Sequence, residues 1–145
     1  MNVFVIGANG QIGHQLVEKL HKEGKHHVTA MVRKEEQLED FKSKGYNAVL
    51  GDLEGSVDDL QKAIDGMDVI VFAAGSGGST GADKTLLIDL DGAAKSIEAA
   101  QANGNIKHFV MVSALKAEDR SAWPDSMKPY YVAKHHADRL LEQSG

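Results

Sequence analysis

The chain contains no cysteine, which excludes disulfide bonds and thiol catalysis and leaves the compartment open on that count. No apolar run approaches the ~20 residues that a membrane-spanning helix needs. Nor is there an excess of positive charge. Lys and Arg number 16 against 21 Asp and Glu, for a net charge of −5, and the two signs are interspersed. A nucleic-acid-binding surface normally shows a basic face, and none is visible. Neither a nucleic acid nor a membrane is expected as a partner. Met1 stands one residue before the first expected strand, leaving no room for a signal peptide, so a cytoplasmic protein is expected. No repeat, linker or second domain is visible. What remains is a chain of 145 residues, 42% hydrophobic and 26% charged, the size and balance of one globular domain with a real core.

The stretch that organises the chain is Gly7, Ala8, Asn9, Gly10, Gln11, Ile12 and Gly13. The apolar run Val3, Phe4, Val5, Ile6 leads into it, and a helix-patterned segment over 12–20 leads out. A strand that turns at once into a helix needs backbone angles that side chains forbid. The helix then presents unpaired N–H groups and a partial positive charge at its start. A diphosphate fits there, and a residue without Cβ lets it come close. The spacing is G-x-x-G-x-x-G. Glycines alone also mark plain turns, but strand and helix flank these in the order that nucleotide binding requires.

Downstream, strands and helices alternate. Strands are expected over 27–32, 46–50, 68–74 and 107–113. Helices are expected over 35–44, from an N-cap at Ser56 to about residue 65, over 83–102 and over 129–143, the last opened by Pro129. A glycine- and serine-rich loop is expected over 75–81. Strands apolar on both faces, alternating with helices, imply a parallel sheet covered on two sides. Right-handed crossovers make it an α/β, doubly wound fold of about five strands in the order 3-2-1-4-5. Ligands of such sheets sit at the carboxyl ends of the strands, where the order reverses. The glycine turn, the residues after the fourth strand and Ser113 after the fifth then share one rim.

The second strand ends at Arg33, twenty positions past Gly13, followed by Lys34. An acidic residue there would bind the ribose hydroxyls of NAD. An arginine offers its donor fork to a 2′-phosphate, which favours NADP, with NAD as the alternative and a merely solvated strand end as the bland one. Tyr130 and Lys134 lie four apart on a helix and share a face. An ammonium beside a phenol is expected to lower the phenol pKa from about 10, letting the tyrosine exchange a proton with a substrate oxygen. Tyr131 is also within reach of Lys134. The alternative is a helix with one packed and one exposed tyrosine.

Of the seven histidines, four stand in adjacent pairs, His26 with His27 and His135 with His136, whose side chains diverge. With no His-x-x-x-His or carboxylate cluster, no metal site is expected. His14 could touch a phosphate or lie on the surface. Trp123 and Pro124 could wall a substrate site or cap the core edge. Lys84 and Thr85 lack the preceding glycine of a P-loop.

The glycine spacing, Ser113 with Ala114, the run Tyr130, Tyr131, Val132, Ala133, Lys134, His135 and the tail from Leu140 to Gly145 resemble the short-chain dehydrogenase/reductase superfamily. The likeness is to its atypical NAD(P)H-binding, NAD(P)-dependent epimerase/dehydratase-like branch, kin to flavin and biliverdin reductases, and it covers essentially the whole chain. It implies a Rossmann domain over 1–145. It also implies cofactor contacts from Gly7, Asn9, Gly10, Gln11, Ile12, Gly13, Arg33, Asp52, Leu53, Ala73, Ala74, Gly75 and Lys134. Asp52 stands where the family touches the adenine edge; a turn aspartate is the alternative. The resemblance gives Tyr130 and Lys134 the proton work and has Ser113 hold the substrate oxygen. In the family a further strand and a substrate-covering segment follow the last helix, so a C-terminally incomplete sheet is expected.

The expected function is NADP-dependent reduction or oxidation of a small carbonyl-type substrate by hydride transfer. A non-catalytic NAD(P)-binding redox-sensing regulator is one alternative, and a nucleotide-sugar epimerase or dehydratase is another. The expected partner is a small-molecule substrate, and the expected assembly a monomer or homodimer.

Overall fold

The computed structural model describes residues 1–75, 81–114 and 117–145. Five strands form one parallel sheet: β1 (Asn2–Ile6), β2 (His27–Val32), β3 (Asn47–Leu50), β4 (Val69–Phe72) and β5 (His108–Met111). Their order is β3-β2-β1-β4-β5, the doubly wound arrangement expected from the alternation of elements. In register, Ile6 stands opposite Met31 on one side and Phe72 on the other, and Phe72 stands opposite Met111.

The two-residue period of β1 explains why both faces are covered. Phe4 and Ile6 point into one core with Met31, Leu60, Ile64, Ile70 and Phe72. Val3 and Val5 point into the other with Val17, Val28, Val32 and Phe41. Helices α1 (Gln11–Glu23) and α2 (Glu35–Ser43) cover the second face through Val17 and Phe41. The first face is covered by α3 (Val57–Ala63) and two later helices. The N-cap of α3 is Ser56, whose Oγ accepts the Asp59 N–H at 3.1 Å.

The remaining long helix departs from a single α-helix over 83–102. It opens with one turn, α4 (Ala82–Lys84), passes through a π-helical segment (Thr85–Leu90), and continues as α5 (Asp91–Asn103) to Gly104. A regular 3.6-residue period cannot foresee such a widened turn. The segment buries Thr85 and Asp89 while Leu86 and Leu87 remain exposed. The last helix, α6 (Lys128–Gln143), starts one residue earlier than expected and carries Pro129 in its first turn. β4 is also shorter than the expected 68–74. Of the loop expected over 75–81, residues 76–80 lie outside the described residues. No described helix is long and apolar enough to cross a membrane.

Candidate cofactor and substrate site

The turn after β1 is built by backbone meeting backbone. Gly7 has φ +80°, and a Cβ there would lie 2.5 Å from Cα of Ala74, beyond the end of β4. A Cβ on Gly13 would overlap the carbonyl oxygen of Gly7. Both glycines are therefore demanded by the packing of the chain itself. Gly10 is different. Its Cβ would meet only the Gly7 oxygen, at 3.5 Å, an ordinary contact. Gly10 is the N-cap of α1, no side chain caps that helix, and its first turn carries no acidic residue. Gln11 and Ile12 beside it are exposed. A 13-residue helix thus begins at an open, anion-favouring end with an unfilled Cβ position above it. These residues fit the diphosphate of a dinucleotide.

Arg33 follows β2, adjacent to the glycine turn: the Ala8 N–H donates to the Met31 carbonyl at 3.3 Å. Arg33 and Lys34 are exposed. Asp52 is also exposed, but it shapes a turn, with Oδ1 accepting the Glu54 N–H at 2.8 Å and its carbonyl accepting the Gly55 N–H at 3.0 Å. The Leu53 side chain is buried in the core under Gly92, so only its backbone can face a ligand. The Lys95 ammonium ties this loop down through the carbonyls of Leu53 and Gly55, at 3.3 and 2.9 Å. Ala73 is held by its N–H to the Ile6 carbonyl at 2.9 Å. Asn9 lies exposed on the glycine turn.

The expected chemical residues come to the same rim. On α6, Tyr130, Lys134 and Asp138 recur every four residues along one face. Lys134 is buried, its Nζ donating to the Ala74 carbonyl at 3.5 Å and lying 5.8 Å from the centre of the Tyr130 ring. Tyr131 instead stacks on Trp123, with ring centres 6.1 Å apart, and Trp123 also packs edge-on against His135. Trp123 thus braces α6. His14 packs edge-on against Phe41, 5.4 Å between ring centres. Among the described residues no group of three or more His, Asp or Glu is placed to hold a metal ion.

Two features of this rim differ from expectation. Burial, then the negative charge of Asp89, push the Tyr130 hydroxyl above the ordinary tyrosine pKa, where the ammonium alone would have lowered it. Burial also lowers the Lys134 ammonium below the ordinary lysine range, against the opposing pull of Asp89 and Asp138. The second concerns Ser113, whose hydroxyl donates to Oδ2 of Asp138 at 2.6 Å. Its hydrogen is thus directed at a carboxylate on α6.

Asp89 and Asp138 were not singled out from the sequence. Asp138 carried a legible signal, since it sits one turn beyond Lys134. Asp89 carried none, because the π-helical segment turns it inward. A Cβ on Gly75 would lie 3.1 Å from Oδ1 of Asp89 and 4.0 Å from Nζ of Lys134, so that glycine admits both groups.

Comparison with known proteins identifies the family and the fold. Residues 7–145 match the NAD(P)H-binding family. The chain is 59% identical over 145 residues to the uncharacterized sugar epimerase YhfK of Bacillus subtilis (strain 168), covering all of this chain and 67% of that protein. A solved structure from Bacillus halodurans, provisionally described as an NAD-dependent epimerase/dehydratase, is 44% identical and superposes with a TM-score of 0.89 over 99% of this chain and 65% of its own. A Citrobacter triphenylmethane reductase complexed with NADP(H) is 26% identical, with a TM-score of 0.74 over 98% of this chain and 45% of its own. The chain therefore spans about two thirds of the first two relatives and under half of the third.

Proposed function

Because the chain belongs to the NAD(P)H-binding family, we propose that it is an NADP-dependent oxidoreductase reducing a small carbonyl-type substrate. The observation that carries this reading is the convergence at one rim. The open Gly10 cradle, the Ala74 backbone, Lys134 and Tyr130 all gather at the carboxyl ends of β1 and β4. When bound there, a nicotinamide dinucleotide supplies hydride to the substrate carbon. Gly10 and the first turn of α1 receive the diphosphate, and Arg33 provides the donor fork for a 2′-phosphate. The Tyr130 hydroxyl gives the proton that completes the alcohol. With its pKa above the ordinary tyrosine value, the hydroxyl is protonated at neutral pH. Lys134, anchored at Ala74, places its ammonium beside that ring. The NADP(H) complex of the Citrobacter reductase supports the choice of cofactor class.

The test is NADPH consumption by the full-length protein across aldehydes, ketones and quinones. Replacing Tyr130 with Phe should lower turnover by ~10²-fold or more; undiminished turnover would remove Tyr130 from the mechanism. A second reading, a redox-sensing protein that binds NADP without turnover, draws on the Ser113 hydroxyl being directed at Asp138 rather than outward. It predicts NADPH binding with no consumption of any carbonyl. The name of the Bacillus subtilis relative motivates a third, a sugar epimerase, which predicts tightly retained NAD in the purified protein.

A further inference from the structure

The hydrogen bond from Ser113 to Asp138 decides what kind of group the rim can recognise. A serine hydroxyl has one hydrogen to give and two lone pairs to receive with. Here the hydrogen goes to a carboxylate oxygen at 2.6 Å, a short, charge-assisted bond. Polarised in this way, the oxygen becomes a better acceptor. Ser113 is exposed, so its lone pairs are open to an incoming molecule.

Its position is set by the sheet. Met111 stands opposite Phe72, and the Val112 N–H donates to the Phe72 carbonyl at 2.9 Å. Ser113 thus lies level with Ala74 on the neighbouring strand, and the Ala74 carbonyl is the anchor of Lys134. Neighbouring strands are ~4.8 Å apart, so Ser113 stands beside the backbone that anchors Lys134. Tyr130, one turn before Lys134, supplies the hydrogen for the substrate carbonyl. Ser113 then needs a substrate that brings a hydrogen of its own.

Resting on the reductase reading above, we propose that Asp138 is a positioning residue that makes Ser113 an acceptor, so that the site selects neutral carbonyl compounds bearing a hydroxyl beside the carbonyl. A plain ketone has no hydrogen to offer the Ser113 lone pairs. A keto acid brings a carboxylate up to Ser113 and Asp138, where like charges repel.

The experiment compares 2-hydroxyacetophenone with propiophenone, which carries a methyl where the first has its hydroxyl, and with the anion phenylglyoxylate. Dissociation constants are measured on the full-length protein saturated with NADP⁺, the oxidised cofactor, which cannot reduce a ketone. The hydroxyketone should bind about tenfold more tightly than propiophenone, and phenylglyoxylate most weakly. Ser113→Ala should bring the hydroxyketone-to-ketone ratio close to one. Asp138→Ala should also collapse it, by freeing the Ser113 hydrogen to donate, with propiophenone gaining affinity. Asp138→Asn keeps an acceptor oxygen in place and should retain most of the ratio. Because each ratio is read on one preparation, partial unfolding of a variant cancels. Equal affinities in the wild type, a ratio indifferent to Asp138→Ala, or binding of none of the three compounds overturns the proposal. The reductase reading fails separately, if NADPH is bound but no carbonyl is ever reduced.

Discussion

Gly7 and Ala74 touch backbone to backbone: a side chain on the first would come within 2.5 Å of Cα of the second. The contact joins the turn after β1 to the chain leaving β4, the two strands between which the sheet changes direction. Gly10, three residues on, has open space instead. The two glycines should respond differently to the same substitution. Gly7→Ala should cost more than ~2 kcal/mol, since it combines positive φ with backbone overlap. Gly10→Ala should leave the fold within ~1 kcal/mol of wild type and weaken NADPH binding by about tenfold or more. Urea unfolding and calorimetric titration of both variants separate the two effects. A Gly10→Ala protein that binds NADPH as wild type does would mean that the diphosphate lies elsewhere.

Tyr130 should titrate late. Its folded pKa is raised, first by burial and then by Asp89, so the native state holds that proton above the ordinary value of about 10. The sign follows from linkage. The contribution to stability is fully present below about pH 10 and is lost as pH rises through the folded value. An ultraviolet titration of wild type against Tyr130→Phe should show the missing phenol ionising above the ordinary tyrosine value. Asp89→Asn should move it back down.

Lys134 should give a slope of the opposite origin. Its folded pKa is depressed by burial, so between that value and the ordinary ~10.4 the unfolded chain binds more protons. Stability therefore rises with pH across that window. Lys134→Met should flatten the rise, and it should also lower stability overall, because buried Asp89 loses the cation across Gly75. Urea midpoints at about pH 7 and about pH 9.5 measure both. A slope unchanged in the variant would place its origin in another group.

Arg33 should discriminate between the two nicotinamide dinucleotides. Arg33→Ala should weaken NADPH by about tenfold and leave NADH nearly unchanged. Parallel titrations decide it. Tighter binding of NADH by the wild type would reverse the assignment of Arg33.

The strand order was legible because β1 and β4 are short apolar runs beside glycine, Gly7 after the one and Gly66 and Gly75 around the other, and because a parallel sheet admits few crossovers. Gly7 and Gly13 were legible for the same reason: a strand entering a helix without a loop leaves no room for Cβ. The fate of the Ser113 hydrogen was not legible, since it depends on a residue 25 positions away. The Tyr130 shift was missed because its spacing from Lys134 says nothing of burial or of Asp89. Leu53 read as a cofactor contact from its place after Asp52, yet its side chain is taken by the core beneath Gly92.

Asp89 owes its place to local winding. An α-helix advances its side chains by ~100° per residue, and the widened segment Thr85–Leu90 accommodates roughly one residue more per turn. Deleting a single residue from this segment would let the helix wind regularly, and the rest of α5 could keep its packing. Asp89 would then swing away from Lys134 by about a quarter turn, leaving Asp138 as the remaining carboxylate that favours the ammonium. A helical irregularity that looks like a defect in the ladder thus functions as the hinge pin of the site's electrostatics.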